Sequence, residues 1–146
     1  MNNPILMRVT GEVEHPLELT FADLQAFADE HRINEVSQIA VGRSGSAITL
    51  AGLLSVAGVT SNAAYLTLHA SSDDFHASVP LAAVHDTALL VYADQGHSLP
   101  QAAGGPVRFL VPNAAKCRTA DIDTCANVKF VDQIELTREK GLDSRL

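Results

Sequence analysis

The residues able to do chemistry in this 146-residue chain are two cysteines, six histidines, a glycine-rich turn and two cations set among apolar residues. Cys117 and Cys125 have seven residues between them, with Lys116 and Arg118 flanking the first. Three readings of that pair stand side by side. A disulfide would staple the loop between them, worth about 2–3 kcal/mol of loop-closure entropy. A reversible redox pair would use the neighbouring cations to favour the Cys117 thiolate. Two unrelated thiols are the plain alternative, and an expected cytosolic address counts against a permanent staple. Zinc is disfavoured, because the spacing is not CxxC and no His or Cys lies nearby to complete four ligands.

The histidines are His15, His31, His69, His76, His85 and His97, and no two stand four apart on a helix. His69 and His76 flank a predicted hairpin and can face each other, which is more often a cross-strand polar pair than a metal site. Gly42-Arg43-Ser44-Gly45-Ser46 looks like a phosphate-binding turn but lacks the spacing of a P-loop, so a flexible connection is the simpler reading. Arg108 and Lys129 sit in predicted strands. They can bind an anion, or they can snorkel from half-buried positions to solvent.

The elements that would position these groups follow from periodicity. Ile5 to Val13 reads as a strand and Leu17 to Leu19 as a short extended piece. Thr20 with Asp23 resembles a capping box, and Leu24, Phe27, Ala28 and His31 at helical spacing predict a helix over Phe21 to Glu30. Val36 to Val41 is a candidate strand. Thr49 can cap a helix over Leu50 to Ala57, which Gly58 stops. Strands are predicted at Tyr65–Ala70, Phe75–Val79, Ala88–Ala93, Val107–Val111 and Val128–Leu136, with a brief helix from Pro80 to Val84. The uneven parity of the last strand predicts a bulge near Asp132. Strands and helices do not alternate regularly, so the fold class is α+β with mixed β-sheets and short helices. One domain spans 1–146, with a core over about 5–137 and a loose tail over 138–146.

Composition narrows the function classes. The chain is 47% hydrophobic but only 5% aromatic, so the core must rest on Val, Leu, Ile and Ala. The net charge is -7 and the ten Lys and Arg are scattered, which argues against nucleic acid and against an anionic membrane surface as partners. No leader-like stretch and no run long enough to span a membrane are seen, so a cytoplasmic location is expected.

Several segments, taken in order, resemble one family. They include Val9-Thr10-Gly11-Glu12-Val13, then Leu50-Ala51-Gly52-Leu53-Leu54-Ser55-Val56-Ala57-Gly58-Val59, then Asp74-Phe75-His76-Ala77-Ser78-Val79-Pro80-Leu81. Most specific are Gly105-Pro106-Val107-Arg108-Phe109-Leu110-Val111-Pro112 and Val128-Lys129-Phe130-Val131-Asp132-Gln133-Ile134-Glu135-Leu136. Over about 7–137 the chain resembles the oxidoreductase molybdopterin-binding domain of sulfite oxidases. The resemblance implies that domain's fold, a molybdopterin cofactor, and Arg108 and Lys129 as cofactor-binding cations. It also implies a metal-ligating Cys ahead of Gly45, where this chain has Ser37-Gln38-Ile39-Ala40-Val41-Gly42-Arg43-Ser44 and no sulfur. Gly45 stands where the family often has Trp, and Ala103 where it commonly has His or Asn. Ser44 offers only a harder oxygen donor, and Cys117 or Cys125 would have to reach the metal from elsewhere. The expectation is a domain that is cofactor-depleted, or binds an anion or a pterin, rather than a catalytic one, with a pterin, a small anion or a protein partner subunit as its partner. An active molybdenum oxidoreductase and a thiol redox module using Cys117 and Cys125 are the alternatives.

Overall fold

The computed structural model describes residues 4–39, 44–112 and 127–144. Two sheets enclose the main core, the first mixed and the second antiparallel in every pair. The first takes strands in the order β2 (Leu17–Thr20), β1 (Ile5–Gly11), β10 (Gln133–Thr137), β5 (Tyr65–Ala70) and β6 (Phe75–Pro80). β1 and β10 run parallel and the other pairs antiparallel. The second sheet is β3 (Arg32–Ile33), β4 (Ser46–Thr49), β7 (Leu89–Asp94) and β8 (His97–Ser98), with β9 (Arg108–Leu110) also on β7. Met7, Val9, Leu66, Leu68, Ile134 and Leu136 of the first sheet share one core with Ile48, Leu90 and Phe109 of the second and with helix α2 (Leu50–Ala57). The opposite face of the second sheet is buried too, through Ala47, Leu89, Val91 and Leu110. Burial on both faces explains why β7 is an unbroken apolar run rather than an alternation.

α2 matches its sequence signals: Thr49 Oγ1 accepts from Gly52 N at 3.1 Å, and Gly58 closes the helix in the left-handed region. Helix α1 starts as expected but is shorter. Thr20 Oγ1 accepts from Asp23 N and Asp23 Oδ2 accepts from Thr20 N, a complete capping box. The helix covers only Phe21–Gln25, whereas periodicity extended it to Glu30. Ala28 turns extended, a 3-10 turn follows over Asp29–His31, and His31 packs over Gly52 of α2. Arg32 Nη1 donates to the freed Gln25 carbonyl at 3.2 Å. Tertiary docking of His31 thus overrides the helical spacing.

Three further expectations need correction. The strand predicted from Val36 is a 3-10 turn over Val36–Gln38. Only Val36 of that turn is buried, and Glu35 caps it by accepting from Ser37 N. The last strand begins at Gln133, not Val128. Phe130 takes a φ of 59°, which resets the facing of Val128 and Val131 into the core without a bulge inside a continuous strand. The tail is not loose through Ser144. Gly141 N donates to Ser78 Oγ, Ser78 N donates to Asp143 Oδ2, and Ser144 exchanges two hydrogen bonds with the backbone of His76. Arg138 pairs with Glu12 at 2.7 Å. The tail therefore covers the β6 edge, whose backbone groups would otherwise lie open. Among the described residues no helix is long and apolar enough to cross a membrane.

Candidate functional site

The loop from Leu99 to Pro106 and the segment 127–131 are laced together by backbone. Phe130 N donates to Gly104 O at 2.9 Å, Val131 N to Val107 O at 2.9 Å and Phe109 N to Val128 O at 2.9 Å. Asn127 secures the far end by accepting from Val111 N at 2.8 Å. This lacing brings Arg108 of β9 and Lys129, far apart in sequence, to the same residue. That residue is Gly104, which ends a 3-10 turn over Gln101–Ala103 with a φ of 100°. A Cβ on Gly104 would lie 3.1 Å from Lys129 Cγ and 3.2 Å from Arg108 Cδ. The two cationic stems thus close over a bare backbone, and the glycine is required twice, by its φ and by the space above it.

Arg108 Nη1 donates to Ala103 O at 3.3 Å, which orients the half-buried guanidinium. The sequence reading named Arg108 and Lys129 but took Gly104-Gly105-Pro106 only as a turn. The signal for the cradle was the glycine pair ahead of Pro106, legible only once the Lys129 segment lay against it. Position 103, where the resemblance led one to expect a His or Asn side chain, serves here through its carbonyl.

A cavity of about 450 Å³ adjoins this cradle, between the start of β1 and the same loop. Ile5, Leu6, Leu99, Phe130, Gln101 and Asp132 are among its lining residues. Arg108 and Lys129 do not line it, but Gly105 and Phe130, the chain neighbours of Gly104 and Lys129, do. Apolar walls beside a cation pair suit a flat ring system carrying an anionic group.

The donor chemistry divides the family's cofactor into two halves. Two cations closing over a glycine fit a phosphate, bidentately through the guanidinium and as a point charge through the ammonium. The metal half does not fit in the same way. Residues 37–44 contain no sulfur, so the soft thiolate has no counterpart there. Gly45 has a φ of 113° and a Cβ on it would meet Ala93 O at 2.6 Å, so no bulky side chain can replace the family's Trp. Cys117 and Cys125 lie outside the described residues, as do Gly42 and Arg43 of the Gly42–Ser46 turn, of which Ser44, Gly45 and Ser46 are described. Among the described residues no group of three or more His, Cys, Asp or Glu is set to hold a metal ion. His69 and His76 do face each other across β5 and β6, as the hairpin reading expected. Their carboxylate partners, Glu135 and Asp74, were not singled out from sequence.

A sequence model of the oxidoreductase molybdopterin-binding domain matches residues 4–144. The chain belongs to this family. A relative from Bacillus subtilis, described as an uncharacterized oxidoreductase, YuiH, is 27% identical over 138 residues. That alignment takes in 91% of this chain and 65% of YuiH, so the chain spans less than two-thirds of that relative's length. The crystal structure of the sulfane dehydrogenase SoxCD from Paracoccus pantotrophus superposes with a TM-score of 0.68 at 22% identity. It covers 92% of this chain and 38% of the SoxCD chain, a likeness of fold. The α+β fold of the sulfite oxidase molybdopterin domain, with mixed sheets and short helices, is thereby established.

Proposed function

We propose that this domain binds a phosphate-bearing pterin of the molybdopterin type through Arg108 and Lys129, and that it acts by binding rather than as a complete molybdenum oxidoreductase. The observation that carries this reading is the Gly104 cradle, where two cationic side chains converge within 3.2 Å of one missing Cβ. Family membership supports a pterin as the ligand. When bound with its metal, such a cofactor supplies oxidoreductase chemistry. In this chain Arg108 and Lys129 hold and orient the phosphate, and the cavity beside Phe130 offers the flat ring apolar contact. The absence of sulfur from residues 37–44 supports the binding-only reading. A protein partner subunit is part of the same proposal.

A working molybdenum oxidoreductase is the second reading, favoured by the oxidoreductase family itself. Elemental analysis of protein from a cofactor-producing host separates the two, with pterin fluorescence on the denatured supernatant. The expected result is pterin and phosphorus without stoichiometric molybdenum. About one molybdenum per chain would establish the second reading. Neither pterin nor phosphorus would overturn both.

A further inference from the structure

The polar face of the first sheet carries a second constellation, which shares no residue with the Gly104 cradle. His69 on β5 and His76 on β6 are directly opposed in register. The His69 carbonyl accepts from Asp132 N on one side, and the His76 backbone bonds Ser144 on the other. Both therefore turn their backbone groups away from each other, the arrangement that brings side chains closest across an antiparallel pair. Their Nδ1 atoms are 2.8 Å apart, a contact that holds one proton, with one ring donating and the other accepting. Each Nε2 faces a carboxylate, His69 with Glu135 Oε1 at 3.0 Å and His76 with Asp74 Oδ1 at 3.3 Å.

We propose that His69 and His76 form a two-histidine site for a divalent transition-metal ion of the Zn²⁺ class, which takes the place of the proton between the two Nδ1 atoms. Metal-bound histidines characteristically donate their other ring N–H to a carboxylate, and both rings already place Nε2 against one. The ring centres are 5.0 Å apart at an interplanar angle of 71°. Two imidazoles on one tetrahedral ion at about 2.0–2.1 Å have nitrogens about 3.3 Å apart and ring centres about 5 Å apart. The ring centres thus already stand at the required separation, and small rotations in place open the nitrogen gap by about half an ångström. Loading releases the shared proton, and the ion's two charges are offset by Glu135 and Asp74. The His76 side, the less buried of the two, leaves the remaining coordination positions to water.

The test is a calorimetric titration with ZnCl2 on the whole chain at pH 7, with Cys117→Ser and Cys125→Ser so that thiols do not compete. One Zn²⁺ per chain is expected, with affinity falling at least tenfold in His69→Gln and in His76→Gln. Glu135→Gln, which acts only through His69, is expected to weaken binding about tenfold or somewhat more. Ring-proton resonances, followed in the chain with both histidines intact, keep the result independent of how well the variants fold. Those of His69 and His76 should move before those of the other four histidines. Absence of saturable binding, or ring resonances of this pair that do not move, would overturn the site. So would an affinity unchanged in folded histidine variants. Arg108→Gln should leave Zn²⁺ binding unaltered, so this inference and the pterin reading stand or fall separately.

Discussion

Replacing Gly104 with Ala tests the cradle at its base. Two costs can be worked out from the geometry. The backbone there has a φ of 100°, a region that costs an L-residue about 1–2 kcal/mol. The added methyl also stands 3.1 Å from Lys129 Cγ and 3.2 Å from Arg108 Cδ, so both stems must give way by a few tenths of an ångström. At about 2–4 °C per kcal/mol for a domain of this size, Tm should fall by about 2–8 °C. Moving the cations apart should cost more in binding than in stability. A charge-assisted hydrogen bond is worth about 1.5–3 kcal/mol. Misaligning one should therefore weaken a pterin phosphate about tenfold or more. Differential scanning fluorimetry reads the first effect and isothermal titration with a pterin phosphate the second, with Arg108→Gln as the benchmark for full loss of one cation. A variant that melts lower but binds as tightly as the parent would show that Gly104 serves only its turn, and the cradle argument would fail. A variant unchanged in both would refute the geometry itself.

Other expectations concern the scaffold. Thr20→Ala removes the acceptor for Asp23 N and leaves the α1 capping box half made, which should cost about 1 kcal/mol by denaturant melt. Ser78→Ala leaves Gly141 N and Thr67 Oγ1 without their buried partner, at about 1–3 kcal/mol. Limited proteolysis should then cut the 138–144 segment faster than in the parent, and equal rates would count against the tail as an anchored strap. Burial pushes the Tyr92 phenol above its ordinary 10.0, with the Arg32 guanidinium pulling the other way. A folded value raised above the unfolded one gives stability that is complete below about pH 10 and is lost as pH rises beyond it. The slope is at most about 1.4 kcal/mol per pH unit, and Tyr92→Phe should remove it from a melt series at alkaline pH.

The sequence was most informative where a local rule is also the whole story. Thr49 and Gly58 bracket α2, and the alternation of Leu66 and Leu68 marks β5, because caps and pleats involve only near neighbours. Family membership was equally readable, because it rests on an ordered set of short segments rather than on any one contact. Local rules failed where a distant partner intervened. α1 stops at Gln25 because His31 docks on α2, and Val36 is buried by pairing with Gly45 rather than by strand alternation. The 128–131 segment follows the 104–109 stretch instead of continuing β10.

The candidate site shows the same division. Residue types alone determined that Arg108 and Lys129 can bind an anion and that residues 37–44 offer no thiolate. Only the tertiary structure decided that the two cations meet, since they stand 21 positions apart in sequence and backbone bonds from Phe130 and Val131 bring them to Gly104. The histidine pair was half legible: a hairpin makes His69 and His76 neighbours through local geometry. Their orientation came from Glu135, 66 positions away on β10, because a ring's facing is set by whichever acceptor the sheet places beside it.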